Sequence, residues 1–98
     1  MNMQNFMAQA QRMQREITQK QEEIYKKIFT GKSEWVTVVM NGKKEIQKID
    51  ITYDGNINDD KDMLSDMICI AMKDCMAQIE KEIENKLGMY SKQLGGLM

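Results

Sequence analysis

The sequence predicts an α+β protomer: a helix, a β-hairpin of two to three antiparallel strands and a second helix, assembling as a homodimer with projecting helical arms. Three observations carry this. Residues 2–28 repeat apolar side chains at helical spacing, residues 34–53 switch to a period of two, and residues 61–90 return to helical spacing. Proline is absent from the whole chain, so nothing of that kind interrupts either helix.

In the first helix, Met3, Phe6, Met7, Ala10, Met13, Ile17, Ile24 and Ile28 fall within about 120° of the helical wheel. Arg12, Arg15, Gln19, Glu23 and Lys26 occupy the opposite side. Glu16–Lys20, Glu22–Lys26 and Glu23–Lys27 are pairs in the favourable i,i+4 orientation. A helix over residues 2–28 is roughly 40 Å long at 1.5 Å per residue. Lys20 stands where a heptad seam needs an apolar residue, which excludes a long coiled coil.

Gly31 ends this first unit. The following segments, EWVTVVM and KKEIQKIDITY, are rich in β-branched residues, and Asn41-Gly42 lies between them. Asn-Gly favours a two-residue type I′ turn, because both central residues must take positive φ. Such a loop sets Met40 opposite Lys43, Val38 opposite Glu45 and Val36 opposite Gln47. One sheet face then carries Val36, Val38, Met40, Ile49, Ile51 and Tyr53, and is the expected core face. The other carries Trp35, Thr37, Val39, Lys44, Ile46 and Lys48. A short strand near Phe29–Lys32 is the candidate third strand.

Residues 54–60 form a turn, with Asp59 or Asp60 as N-cap and Asp62 suited to the positive end of the helix dipole. The second helix runs from about Lys61 to Tyr90. Leu64, Met67, Ile68, Ala71, Met72, Cys75, Met76 and Ile79 span close to half the wheel, and only Ile83, Leu87 and Tyr90 continue the stripe. Its front half is expected on the sheet and its back half away from it. Gly88 and Gly95-Gly96 predict a loose tail over residues 91–98.

At 98 residues the chain makes one domain, 1–98, with a thin core. Composition points away from catalysis. There is no histidine, the commonest general base, and no phosphate-binding glycine motif. Cys69 and Cys75 point about 120° apart on one helix, read best as core residues, and have no zinc or redox spacing. Asp59, Asp60 and Asp62 lack the glycine and glutamate of a calcium loop. Eleven methionines at helical spacing read first as core and second as an adaptable surface. No metal, cofactor or small-molecule substrate is expected. The first residues lack a basic region and a continuous apolar run, and no stretch approaches the roughly 20 apolar residues of a membrane span. The expected setting is therefore soluble, reduced and cytoplasmic. Net charge is −1, distributed as +2 over residues 1–28, +1 over 29–53 and −4 over 54–98.

Two helices that outrun a short hairpin leave apolar surface to cover, and an isolated hairpin is marginal in water. A two-fold pairing of identical chains covers it most simply. Trp35, Val39 and Ile46 are the candidate dimer interface.

Four segments together carry a family resemblance: MNMQNFMAQAQRMQREITQKQEEI, VTVVMNGKKEIQKIDI, DMLSDMICIAMKDCMAQIEKEIENKLG and the final Gly95-Gly96-Leu97. In order and over nearly the whole chain, they resemble the YbaB/EbfC family of bacterial nucleoid-associated proteins. The resemblance implies an α-β-β-β-α protomer, a tweezer-like homodimer, and DNA binding without enzymatic activity on the nucleoid. The chain departs from the family at Gly31-Lys32-Ser33-Glu34-Trp35, where a glycine-rich stretch is common. Both helices extend away from the hairpin as one arm per protomer, so two arms make a fork for a duplex about 20 Å wide. Arg12, Arg15, Lys86 and Lys92 are the expected phosphate contacts, opposed locally by Glu16, Glu80, Glu82 and Glu84. The alternative is a protein-interaction module that docks a replication or recombination factor through the arms.

Overall fold

A computed structural model describes the backbone of residues 2–94 and the side chains of residues 2–90. Helix α1 spans Met3–Lys26, strands β1, β2 and β3 span Ile28–Lys32, Val36–Asn41 and Ile46–Ile51, and helix α2 spans Lys61–Leu94. The strands form one antiparallel sheet in the order β1-β2-β3, so the candidate third strand is present. The described residues measure 70 × 23 × 14 Å along their principal axes, a length set by the helices and not by the sheet.

The Asn2 side chain caps α1 by accepting from the Gln4 amide. The helix stops at Lys26, two residues before the expected end. Lys27 turns extended, and Ile28 belongs to β1. Phe29 is the first residue after α1 to enter the core, and the extended chain delivers it there.

Alternation in β2 sends Val36, Val38 and Met40 inward, where they meet Phe29, Ala71, Cys75 and Ile79. Gly31, in β1 opposite Val38, lets α2 approach: a Cβ there would lie 2.2 Å from the Ala71 carbonyl oxygen and 2.5 Å from the Cys75 amide nitrogen. The approach is tied down by polar contacts. The Lys32 amide donates to Asp74 at 3.0 Å, Gln78 donates to the Thr30 carbonyl at 2.9 Å, and the Ser33 hydroxyl donates to the Met67 carbonyl at 2.8 Å.

The expected core face is only half covered. Val38 pairs with Ile49 and Val36 with Ile51, so the isoleucines do share the inner face. Among the described residues, however, α2 packs on β1 and β2 and not on β3. Ile46, Ile49 and Ile51 remain 47%, 42% and 43% exposed. Tyr53 is half-buried outside the core, with its ring 4.9 Å from that of Trp35 and its hydroxyl bonded to Asp60.

The turn corrects a second expectation. Asn41-Gly42 does mark the hairpin, but the register is Met40 opposite Ile46, with a bulge before Val39 meets Lys48. The Asn41 amide donates to the Glu45 carbonyl and the Lys44 amide to the Asn41 carbonyl, closing a loop of three residues. Among the described residues positive φ falls on Lys44, at 65°, and on no glycine. The Asn41 side chain accepts from the amides of Lys43 and Glu45 and donates to the Glu45 carboxylate.

Helix α2 also departs from expectation. It passes through Gly88 and reaches Leu94, beyond the expected end at Tyr90. Glycine costs a helix interior about 1 kcal/mol against alanine, and packing of the neighbouring turn offsets it. Tyr90 is buried, its hydroxyl donates to Glu16 at 3.1 Å, and the Lys20 ammonium lies 4.9 Å over its ring. Of the expected loose tail, residues 91–94 are helical and 95–98 lie outside the described residues. The cysteines separate: Cys75 is buried as expected, whereas Cys69 is exposed.

Candidate nucleic-acid interface

The arm is an antiparallel pair formed by the second half of α1 and the back half of α2. Ile24 is buried, and Met13 and Ile17 are partly covered. Lys27 reaches across to Glu82, with Nζ and Oε2 2.8 Å apart. That bond holds the Glu82 carboxyl below its ordinary pKa of 4.5. Lys20 and Lys27 therefore contact α2, where the sequence offered Glu16 and Glu23 as their partners.

Among the described residues, α1 continues alone beyond this pair. Every residue from Asn2 to Arg12 is exposed, and the stretch contains no acidic side chain. Met3, Phe6 and Met7 carry the apolar stripe past its cover and stay 75%, 60% and 56% exposed. Arg12 and Arg15 stand one turn apart and exposed, so the structure brings these two expected contacts together. Lys86 is exposed but lies elsewhere, in a 150 Å³ groove with Glu23, Ile24, Lys27 and Glu82. Glu23 is about 12 Å along α1 from Arg15 at the helical rise. Lys92 falls in the last turns of α2, and its side chain lies outside the described residues.

A second group of charged residues, with lysines and glutamates in equal number, escaped the sequence reading. A 380 Å³ groove between α1 and the β2–β3 turn gathers Lys26 and Lys43 with Glu22, Tyr25, Asn41 and Glu45. The Lys43 ammonium lies 5.4 Å from the Tyr25 ring centroid, and Lys44 pairs with Glu80 at 3.4 Å. The Lys43-Lys44 dipeptide in a tight turn was the available signal.

Trp35, Val39 and Ile46 do not share one face. Val39 lies on the outer side of the sheet, half-buried. The bulge sets Ile46 opposite Met40 on the inner side, and Trp35 sits just before β2 against Tyr53. The inner face of β3 is the larger bare apolar surface. Glu80 reaches over the turn to Lys44, while Asp74 and Gln78 hold β1. Met72 and Met76 precede Glu80 at i,i+4 spacing, on the flank of α2 that overlooks β3. They are partly buried, packed against the core cluster.

Among the described residues no cluster of His, Cys, Asp or Glu could hold a metal ion. None of their helices is long and apolar enough to cross a membrane. The described residues form a three-stranded anchor bearing a paired-helix arm, and helix α1 runs past the pair as an exposed segment without an acidic residue. A fold of this kind presents surface to a partner.

The chain belongs to the YbaB/EbfC DNA-binding family, which it matches over residues 1–94. It is 42% identical over 96 residues to a nucleoid-associated protein of Lactococcus lactis subsp. lactis (strain IL1403), covering 96% of this chain and 97% of the relative. A nucleoid-associated protein of Mycoplasmopsis pulmonis (strain UAB CTIP) is 41% identical over 90 residues, covering 89% and 90%. One from Enterococcus faecalis (strain ATCC 700802 / V583) is 37% identical over 97 residues, covering 97% and 93%.

Proposed function

We propose that this chain is a cytoplasmic, nucleoid-associated DNA-binding protein. It acts as a homodimer, binds duplex DNA between or along its helical arms, and influences nucleoid organisation or gene expression by binding, not by catalysis. Family membership and the names of the relatives support the class. The observation that carries the reading in this chain is the start of α1: exposed from Asn2 to Arg12, without an acid before Glu16, and with Arg12 and Arg15 exposed where it joins the paired arm. In a chain of net charge −1, a local run of this kind is where a polyanion meets least repulsion.

The dimer reading rests on β3. Three isoleucines on the inner face of an edge strand, flanked by Met72 and Met76, form one apolar surface that a second copy covers by two-fold symmetry. Two copies also set two arms in one particle.

The test is a gel-shift titration with random-sequence duplex at two salt concentrations, together with the mass of the protein in solution. The expected result is a shift at micromolar protein that weakens with salt, from a particle of twice the chain mass. Absence of a shift at any micromolar dose overturns the DNA reading, and a monomeric mass overturns the dimer. The bare Met3, Phe6 and Met7 favour a second reading, the docking of a replication or recombination factor on the arm. Retention of such a factor with no DNA shift would select it.

A further inference from the structure

The outward side of the free α1 segment has its own order. Gln4, Ala8, Gln11 and Arg15 follow at intervals of four, three and four residues, which stacks them in one line along the helix. All four are exposed and lie opposite Ile17 and Ile24, the residues that meet α2. Arg12 flanks the line. The protein has only two arginines among its fourteen basic residues, and both are here. Thr18 continues the line after Arg15, and Glu22 closes it with a negative charge.

We infer that this line is a base-reading surface: the free half of α1 enters the major groove of duplex DNA, where Gln4 and Gln11 read adenine and Arg15 reads guanine. The inference rests on the DNA reading above and adds sequence discrimination to it. The groove is about 12 Å wide and admits one α-helix. A glutamine amide matches the donor and acceptor pair at N6 and N7 of adenine, and a guanidinium fork matches O6 and N7 of guanine. Lysine, which supplies every other basic position, is a point charge without that planar fork. Gln4 to Arg15 spans roughly 16 Å of helix at 1.5 Å per residue, the length of about five base pairs at 3.4 Å each. Ala8, between the glutamines, keeps a small side chain where the helix backbone must come close to the groove floor. Arg12, off the line, falls to the phosphate wall and contributes charge without sequence information.

The test uses the full chain. A randomised duplex pool is enriched by repeated binding, and the enriched duplex is compared with a scrambled one for the unchanged protein, Gln11→Ala and Arg15→Lys. Both are substitutions at exposed positions, and circular dichroism checks the fold. The unchanged protein is expected to prefer the enriched duplex by about tenfold or more, and each variant to bring that ratio toward one. Replacing the purines of the enriched duplex by their 7-deaza analogues removes the N7 acceptors without changing charge. This should weaken binding of the unchanged protein by about tenfold. Binding to all duplexes with no enrichment, a ratio unaltered in both variants, or indifference to the 7-deaza duplex would each overturn the inference while leaving DNA binding intact. Failure to bind any duplex overturns the DNA reading itself.

Discussion

Gly42 lies directly against Ile24: a Cβ at Gly42 would come within 1.8 Å of the Ile24 carbonyl oxygen. The glycine of the Asn-Gly pair is thus required by the end of α1 and not by its own φ, and the left-handed conformation falls on Lys44. The two positions should respond in opposite ways. Gly42→Ala forces turn and helix apart and should destabilise by about 1–3 kcal/mol, the usual cost of overpacking. Lys44→Gly relieves the left-handed strain of a side-chain-bearing residue and should stabilise by about 0.5 kcal/mol after the added unfolded-state freedom is counted. Urea unfolding of the two variants beside the unchanged protein measures both, and a stabilised Gly42→Ala would contradict the packing.

Gly31 makes the same argument in the core, against backbone on both sides of the contact. Both glycines meet backbone, but Gly31 is held between β2 and α2 in the core, whereas Gly42 meets only the end of α1 from a surface turn that can shift, so Gly31→Ala should lower the unfolding midpoint more than Gly42→Ala. Thermal unfolding of the two variants ranks them.

The cysteines should differ in reactivity. Cys75 is buried with its thiol donating to the Phe29 carbonyl, and burial pushes its pKa above the ordinary value, so it stays a thiol at neutral pH. Cys69 is exposed on the same helix. A disulfide exchange reagent should titrate one thiol per chain in the native protein and two after denaturation, unless dimerisation covers Cys69, when the native count falls to zero.

If a second copy covers β3, Ile49→Glu places a charge in the middle of that contact. It should shift the solution mass toward the monomer at micromolar concentration. Lys48→Glu, one residue away on the outer face, should leave the mass unchanged.

Two groups give pH dependence at opposite ends. The Asp60 hydrogen bond, followed by burial, raises the Tyr53 pKa above 10.0, so its contribution is complete below that pH and is lost as pH rises beyond it. Lys27 lowers the Glu82 pKa below 4.5, so that contribution is present above 4.5 and is lost as pH falls through the lowered value. Ultraviolet titration of the unchanged protein and of Tyr53→Phe should differ by one tyrosine that ionises above the ordinary value. Glu82→Gln should flatten the acid limb of the stability curve.

The order of elements was legible in the sequence because periodicity states it directly. A period of two over VTVVM made Val36, Val38 and Met40 inward residues, and they are buried. Helical spacing set Arg12 and Arg15 opposite Ile17 and Ile24, and they are exposed. Such patterns report which side chains share a face, and the positions of Arg12 and Arg15 followed from that alone. Lys86 carried the same local signal, yet its surroundings of Glu23, Lys27 and Glu82 come from two helices distant in sequence.

By itself, then, the sequence determined the elements, the inward residues of β2 and the acid-free stretch of α1 before Glu16, all consequences of local geometry and composition. The tertiary structure alone decided three further matters. The end of α1 selected the turn that Asn41-Gly42 could form. Placement of α2 over β1 and β2 left Ile46, Ile49 and Ile51 bare. Packing of Tyr90 on α1 carried α2 past Gly88. Each depends on which distant segment occupies the space beside a residue, and hydrophobic periodicity contains no information about the neighbour.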